Sequence, residues 1–370
     1  MRFSLLATLA SLAFTYAKSS EETINDPWSF NVGSGQYADW MQRIKDNTPL
    51  SSLSIPGTHN SMTDKLDNGL LRGQDTPLAQ QLTGGIRYID ITLQNTDNNL
   101  LVYHGTSKTG YNFEEVLTTI YNFLDDHCRE AVIIRIQKST LLNGSQAFTD
   151  LLRGYLNPGT PIGNRAAQYV YNRGTPASTT LPTLGDLRGK LFILQDFDTK
   201  PSGVFGFPWS SPLISNHHFK FGVGKLLVGA KWHTVRKHIE GLSRKSAETL
   251  YITDMTVSVG SKPISIATGD EKNPGMNGRL GIFLKDTKGG DSNEFLFGFR
   301  RARLGVISMD FPGKNLVEQI LKFNKFYEEI STAEGYSQQP PPSPGYSDSN
   351  ASPNTNSYPN PTTAPAPTQY

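Results

Sequence analysis

Runs of apolar residues that alternate between strand-like and helix-like spacing constrain this chain most strongly. Residues 131–136 form a short, isoleucine-rich run, which is typical of a buried strand. Residues 113–128 just before them place apolar side chains on one helical face. Such patterns alternate through residues 22–335, and that order favours parallel strands. We therefore predict a single α/β domain, folded as a distorted or incomplete TIM-type (β/α) barrel.

The predicted elements follow from these patterns. The strands cover residues 52–55, 87–93, 100–103, 131–136, 190–197, 249–257 and 304–311. The helices cover residues 113–128, 146–155, 235–245 and 315–329. In a parallel barrel the carboxyl ends of the strands meet on one face, so residues at those ends are candidates for an active site.

Both ends of the chain differ from its centre in composition. Residues 1–17 combine Arg2, an apolar stretch and a small residue at Ala17, which is the pattern of a secretory signal peptide. Residues 336–370 are rich in Pro, Ser, Asn and Thr, and this composition predicts a disordered tail. Residues 22–335 are then the folded domain. We expect a secreted, extracellular protein, with cell-wall association through the tail as an open alternative.

Charge and cysteine content exclude some classes of protein. The net charge of +2 and the isoelectric point near 8.4 are too mild to indicate a nucleic-acid partner. The single cysteine, Cys128, rules out an intrachain disulfide, so an extracellular fold must depend on its core. Sequons at Asn143 and Asn350 are glycosylation candidates. We expect a monomer.

Two histidines fall at the ends of predicted strands. His59 closes the motif Ile-Pro-Gly-Thr-His, and His104 lies in the motif Tyr-His-Gly. Taken singly, each suits an ordinary loop position. As a pair they can act as general base and general acid on one phosphodiester, because imidazole binds and releases protons near neutral pH. Lys138 and Asp310 also fall at or just past strand ends.

These motifs, taken in order, resemble the X-type catalytic domain of phosphatidylinositol-specific phospholipase C, especially its secreted bacterial members. The resemblance implies that His59 takes the proton from the inositol 2-hydroxyl and that His104 protonates the departing diacylglycerol oxygen. It also implies that Asp310 orients His59 and that Lys138 contacts the head group. The matching segments are residues 39–42, 47–50, 55–59, 85–91, 103–105, 132–138, 189–190, 250–252 and 303–311.

The resemblance also implies a substrate and a product. The substrate is phosphatidylinositol or a related lipid, including a GPI-like lipid, at a membrane surface, and the product is a cyclic inositol phosphate. Two alternatives stay open from the sequence. One is the same fold acting on a different phosphodiester head group, and the other is a catalytically impaired secreted protein that binds lipid or glycan.

Two positions depart from the bacterial pattern. Thr92 stands where those members carry an arginine, and Asn60 stands where they carry an aspartate that supports the general acid. A phosphodiester transition state gains negative charge, so a cation is needed nearby. Strand alternation puts Arg87 on the opposite face from Asp90 and Thr92, so Arg87 does not easily supply this charge.

The source of positive charge therefore stays open between Arg135 and Lys138, which fall on opposite faces of the next strand. A third departure concerns the head group, because Asp196 stands where the family carries an arginine. These changes suggest a head group other than plain phosphatidylinositol. Asp90, Thr92 and Lys138 are the candidates for substrate binding.

Calcium is an open alternative as the cation. The calcium-dependent branch of the family holds Ca²⁺ at positions that match Asn60, Asp90, Thr92 and Gln137, and all four side chains carry oxygen. Asp90 alone among them is charged, so any calcium site is expected to be weak. No other cofactor is indicated.

Aromatic residues cluster at residues 205–209 and recur at Phe219 and Phe221. On a lipid-cleaving enzyme, a loop of this kind can enter the lipid interface. The alternative, at least as well supported by the sequence, is that these rings pack inside the irregular half of the barrel.

Overall fold

The computed structural model describes residues 26–33, 35–139, 145–171, 180–200, 203–218, 226–257, 261–270, 272–289 and 303–324. The signal peptide and the tail predicted for residues 1–17 and 336–370 lie outside these ranges, as do Asn143, Phe219 and Phe221. Contacts group Met1–Tyr336 as one unit and Ser337–Tyr370 as a second. Every described residue belongs to the first unit.

The described residues form strands and helices that alternate over most of their length. The strands are β1 (Ser54–Thr58), β2 (Tyr88–Thr96), β3 (Asn99–His104), β4 (Ser107–Asn112), β5 (Ala131–Lys138), β6 (Lys190–Asp196), β7 (Phe207–Pro208), β8 (Ile214–His217), β9 (Leu250–Asp254), β10 (Gly269–Asp270), β11 (Asn273–Pro274) and β12 (Gly305–Met309). The helices are α1 (Leu78–Thr83), α2 (Phe113–Asp126), α3 (Ser145–Leu156), α4 (Pro161–Tyr169), α5 (Leu184–Leu187), α6 (Leu226–Gly241), α7 (Pro263–Thr268), α8 (Met276–Gly289) and α9 (Lys314–Leu321).

One curled parallel sheet organises the molecule. Its strand order is β7-β6-β5-β2-β1-β12-β9-β8, and every neighbouring pair along this path is parallel. The first strand therefore pairs with the last, which is how a barrel begins to close. Among the described residues the path ends at β7 and β8, so the barrel is open between these two strands. This architecture confirms the predicted distorted TIM-type barrel.

Helix α2 and strand β5 show why the sequence folds this way. The side chain of Asn112 accepts a hydrogen bond from the backbone N–H of Glu115, and the Glu115 carboxylate accepts one from the backbone N–H of Asn112, so α2 begins with a capping box. The apolar side chains on one face of α2 are buried. The first four residues of β5 are all buried, as expected of a strand covered on both faces.

Strand β3 differs from the expectation of parallel strands. It runs antiparallel to β2, with Thr92 opposite Tyr103 and Thr96 opposite Asn99. The reason is a two-residue turn, Asp97–Asn98, in which both residues have positive φ of 52° and 58°. Such turns match the twist of a hairpin, and Asp and Asn tolerate this conformation best among residues with a side chain. The turn reverses the chain and carries β3 back along β2.

Other elements differ from the predictions in extent. Helix α9 ends at Leu321 rather than at residue 329, and residues 325–329 lie outside the described ranges. Helix α8 was not predicted, because its glycines disfavour a helix. One of these glycines, Gly281, is required by packing, because a Cβ there would approach the Trp28 ring within 2.3 Å. None of the described helices is both long and apolar enough to cross a bilayer.

A buried ion pair joins the amino ends of two barrel strands. Nε and Nη2 of Arg87, just before β2, donate to Oε2 of Glu130, just before β5, at 3.0 and 2.8 Å. Both side chains are fully buried. Glu130 also accepts from the backbone N–H of Met41, and Arg87 donates to the carbonyls of Leu82 and Ala38. The pair therefore fastens the N-terminal segment to the barrel.

Replacing Arg87 by methionine is expected to lower the free energy of unfolding by about 3–5 kcal/mol, because it leaves the Glu130 carboxylate buried without its partner. Urea unfolding followed by circular dichroism measures this change. Arg153→Met is the matched control, since it breaks the exposed Arg153–Asp150 pair and should cost less than about 1 kcal/mol. Equal losses in the two variants would contradict the role given to the buried pair.

Candidate active site

The pairing of β1 with β12 places His59 beside Asp310. Thr58 is opposite Met309 in the register, so the next residue on each strand emerges at the same point of the barrel mouth. The backbone N–H of His59 continues the ladder by donating to the carbonyl of Met309 at 2.9 Å. Nδ1 of His59 then lies 3.1 Å from Oδ1 of Asp310, and the Asp310 side chain is almost fully buried.

The segment after His59 is fixed to the barrel by polar contacts. The hydroxyl of Ser61 accepts from the backbone N–H of Asp90 at 2.9 Å. The side-chain amide of Gln74 donates to the carbonyls of His59 and Met309. A Cβ at Gly73 would lie 2.8 Å from Oδ1 of Asp310, so a glycine is needed for the close approach of this segment to the carboxylate. Neither Gly73 nor Gln74 was predicted from the sequence.

The β2–β3 hairpin brings His104 to the same place. Nδ1 of His104 lies 2.6 Å from the carbonyl oxygen of Leu71. Because Nδ1 of each histidine faces an oxygen atom, the hydrogen-bond network assigns the proton to Nδ1 and leaves Nε2 as the acceptor in the neutral rings. The amide Nδ2 of Asn60 lies 3.1 Å from Nε2 of His59 and 3.1 Å from Nε2 of His104. The two ring centroids are 6.3 Å apart.

The surroundings give the two histidines different proton affinities. Burial lowers the pKa of His59, but the hydrogen bond and charge of Asp310 outweigh burial and raise the pKa to about 9. Burial lowers the pKa of His104, and its hydrogen bond to the carbonyl of Leu71 opposes this only in part. Burial raises the pKa of Asp310, while its hydrogen bond to His59 acts in the opposite direction. The carboxylate beside His59 and the neutral carbonyl beside His104 therefore move the pKa values of the two histidines apart.

Asp90 lies next to this pair, on the inner face of β2. Its Oδ1 accepts from Nε2 of Gln137 at 3.0 Å and lies 3.6 Å from Nη1 of Arg135. Thr92 follows on the same face of β2, opposite Gln137 in the register. Nε and Nη2 of Arg135 donate to Oδ2 of Asp196 at 3.0 and 2.5 Å.

The residues proposed for calcium do not fit the ion. The amide nitrogen of Asn60 faces the two histidines, and Asp90 is already in contact with Gln137 and the positively charged Arg135. A calcium ion needs several oxygen ligands with more negative charge than this set provides. Within the part of the chain that the structure describes, no group of three or more acidic, histidine or cysteine side chains can hold a metal.

Lys138 is separated from the other candidates. It lies opposite Leu93 in the register of β5 with β2, on the other face from Arg135. Its Nζ lies 5.7 Å from the ring centroid of Phe148 in helix α3, so it points toward the helix layer. The structure thus brings together His59, His104, Asp310, Asn60, Asp90, Thr92 and Gln137, but not Lys138.

A second carboxylate–imidazole pair was missed from the sequence. Asp254 ends β9 and accepts a hydrogen bond from Nδ1 of His218, which follows β8. Asp254 also accepts from the backbone N–H and hydroxyl of Thr256, and its charge raises the pKa of His59. Asp254 was not predicted as a site residue, because the strand predicted at 249–257 placed it in mid-strand instead of at the carboxyl end.

The aromatic cluster packs inward. Phe205 and Phe207 are buried in the main core, and Trp209 packs against that core. The ring of Trp209 lies 4.1 Å from Cζ of Arg135. Phe205 and Phe207 therefore follow the packing alternative, whereas Trp209 packs against the core and stays partly exposed.

Comparison of the sequence with known proteins identifies relatives of this chain. The family model "Phosphatidylinositol-specific phospholipase C, X domain" matches residues 47–196. The 1-phosphatidylinositol phosphodiesterase of Listeria monocytogenes serovar 1/2a is 30% identical over 304 residues, which cover 78% of this chain and 85% of the relative. The protein of the same name from Staphylococcus aureus (strain Newman) is 24% identical over 164 residues, which cover 42% of this chain and 50% of the relative.

Solved structures show the same fold. The phosphatidylinositol-specific phospholipase C of Listeria monocytogenes matches with a TM-score of 0.64 and 26% identity, covering 78% of this chain and 99% of that one. The F249X mutant of the Staphylococcus aureus phospholipase matches with a TM-score of 0.58 and 18% identity, covering 79% and 99%. The resemblance drawn from the motifs is therefore confirmed, and the chain belongs to the phosphatidylinositol-specific phospholipase C family.

Proposed function

We propose that this protein is a phosphodiesterase that cleaves phosphatidylinositol, or a related inositol lipid, into a cyclic inositol phosphate and diacylglycerol. One observation carries the proposal: Nε2 of His59 and Nε2 of His104 converge on Asn60 Nδ2, while Asp310 and a backbone carbonyl hold the two Nδ1 atoms. The names of the bacterial relatives, which are 1-phosphatidylinositol phosphodiesterases, support the inositol lipid as substrate.

The roles of the two rings in proton transfer are the ones that the family resemblance implies. Nε2 of His59 accepts the proton of the inositol 2-hydroxyl as that oxygen bonds to phosphorus, and Asp310 stabilises the imidazolium that forms. The bond from phosphorus to the diacylglycerol oxygen breaks as Nε2 of His104 gives that oxygen a proton. One histidine gains a proton and the other loses one, so the reverse sequence lets water open the cyclic phosphate.

The setting of the reaction follows from the same proposal. The signal pattern in residues 1–17 supports export, and a lipid substrate implies action at a membrane surface, on phosphatidylinositol or on a GPI-like lipid. The mild net charge supports the absence of a nucleic-acid partner. We expect the exported protein to be a monomer, which size-exclusion chromatography with light scattering tests directly.

Alanine at either His59 or His104 is expected to reduce turnover of phosphatidylinositol vesicles by about 10²–10⁴-fold, because each variant removes one proton-transfer group. Phosphorus NMR of the product, with and without EDTA, measures this loss and identifies the cyclic phosphate. His127→Ala is the control, since His127 is bonded to Asp39 near the amino ends of the strands. Full activity in either active-site variant would overturn the assignment.

The rate should depend on pH as a bell-shaped curve. The active form carries one proton on the histidine pair, on His104 with His59 neutral. The pKa order puts that proton on His59 in the predominant form, so the active form is the minor one of the two. Since both forms carry one proton, kcat/KM should still fall below the pKa of His104, which lies under 6.5, and above the pKa of His59, about 9. Asp310→Asn removes the charge that raises the pKa of His59. Its alkaline limb is therefore expected at lower pH, together with a slower rate at every pH.

Rate measurements on a water-soluble inositol phosphodiester between pH 4 and pH 10 give both limbs. Asp39→Asn, which alters the partner of His127 outside the site, should leave the profile unchanged. An alkaline limb that does not move in Asp310→Asn would show that Asp310 does not control His59.

A further inference from the structure

The side chain of Asn60 lies between the two histidines and takes no part in the proton transfers. Its Nδ2 atom lies 3.1 Å from Nε2 of His59 and 3.1 Å from Nε2 of His104. The same atom is 3.3 Å from Nδ1 of His59, and an atom at nearly equal distances from both nitrogens of one ring lies off the lone-pair axis of either. One N–H of the amide therefore suffices for His104, and the other is available to a ligand.

The backbone holds this side chain in a fixed direction. Asn60 has a positive φ of 43°, a left-handed conformation that asparagine tolerates better than most residues. The N–H of His59 donates to the carbonyl of Met309, and the N–H of Ser61 donates to the carbonyl of Asp90, each at 2.9 Å. Asn60 itself is only 8% exposed. Its amide is thus held in place before a substrate binds, which is the condition for effective electrostatic stabilisation of a transition state.

The charges around the site leave a need for such a donor. Thr92 stands where bacterial members of the family carry an arginine. Arg135 binds Asp196 and lies 3.6 Å from Oδ1 of Asp90, so carboxylates already balance its charge. In the transition state the non-bridging oxygens of the phosphodiester gain negative charge, and hydrogen-bond donors stabilise that charge. The amide of Asn60 can donate, whereas the aspartate that bacterial members carry at this position can only accept when it is ionised.

The two equal distances place the amide at a definite point of the reaction. In an in-line displacement the attacking and leaving oxygens lie at the two apices of phosphorus, and the non-bridging oxygens lie on the equator between them. His59 marks the first apex and His104 the second, because each exchanges a proton with the oxygen at that apex. Nδ2 of Asn60 is equally far from Nε2 of both rings, so it faces the equator.

We propose that Asn60 is a further catalytic residue, whose amide N–H donates to one non-bridging oxygen of the phosphodiester and stabilises the charge that this oxygen gains in the transition state. This inference rests on the proposed phosphodiesterase function. It assigns Asn60 to the phosphate itself, and neither to a metal ion nor to the support of His104 as general acid.

Asn60→Gly removes the amide, and glycine adopts the positive φ of this position without strain. This variant is expected to lower kcat for a soluble inositol phosphodiester about 10²- to 10³-fold, the range for loss of one such donor. KM should change less than kcat, because the hydrogen bond strengthens in the transition state. Asn98→Gly is the matched control and should keep full activity, because Asn98 also has positive φ but lies in the β2–β3 turn, where glycine is favoured.

Sulfur substitution tests whether the amide contacts a non-bridging oxygen. Replacing one or the other of these oxygens gives two diastereomeric phosphorothioates, and sulfur is the weaker hydrogen-bond acceptor. The unmodified protein should cleave one diastereomer about 10- to 100-fold more slowly than the other. This difference should be lost in Asn60→Gly and persist in Asn98→Gly. A difference of the same size in Asn60→Gly would overturn the proposal.

A sulfur leaving group separates this role from the support of His104. A thiolate departs without a proton, so a substrate with sulfur in place of the leaving oxygen does not need the general acid. The loss of kcat in Asn60→Gly should persist with this substrate, and recovery of full activity would show instead that Asn60 acts through His104. Asn60→Asp keeps the shape of the side chain without its N–H groups, so it should give the same pattern and serves as the test should Asn60→Gly fail to fold.

Binding of the cyclic inositol phosphate, followed by proton NMR, keeps this inference separate from the proposed function. The side-chain amide resonance of Asn60, identified by its loss in Asn60→Gly, should move downfield when the cyclic phosphate is added. That shift without cleavage of any diester would support the phosphate contact although the proposed function failed. Cleavage by the unmodified protein, with no shift and an unchanged preference between the phosphorothioates in Asn60→Gly, would overturn the inference and leave the phosphodiesterase function standing.

Discussion

The parallel pairing of the first barrel strand with the last is the constraint on which the rest of this structure depends. It joins residues about 250 positions apart in the chain, and its register sets Thr58 opposite Met309. One residue further along each strand, that register brings His59 and Asp310 into hydrogen-bond contact. A slip of one residue would send one of these side chains to the other face of the sheet. The fold and the catalytic dyad are therefore fixed by the same ladder of backbone hydrogen bonds.

Charges in the barrel divide between its two ends. At the amino ends of the strands, Arg87 and Glu130 are fully buried and satisfy each other and nearby backbone groups. At the carboxyl ends, the charges of Asp310, Asp254 and Asp90 raise the pKa of the partly exposed His59 imidazole. The first set stabilises the domain, whereas the second is paired with groups that can exchange protons or bind a ligand. This division is expected when the active site lies at one face of a β/α barrel.

The elements that sequence patterns predicted well are those with strong periodicity. Helix α2 and strand β5 appear within two residues of their expected bounds, because capping and an unbroken apolar run determine them locally. The patterns failed where a tertiary contact overrides propensity. Gly281 lowers the helix propensity of α8, yet the absence of a side chain there makes room for the ring of Trp28. The Asp97–Asn98 turn has a local signal, but its consequence, an antiparallel β3, depends on which edge of β2 is free.

The sequence by itself determined the fold class, the family and the identity of the two histidines, because these depend on local periodicity and short motifs. Tertiary structure alone decided how the histidines meet. His104 arrives on an antiparallel strand, and Asn60 lies between the two rings. It also separated Arg135 from Lys138, since strand register turns Arg135 to the mouth and Lys138 to the helix layer. Distances between side chains on separate strands depend on register and on the curl of the sheet, and no local pattern in the chain encodes either.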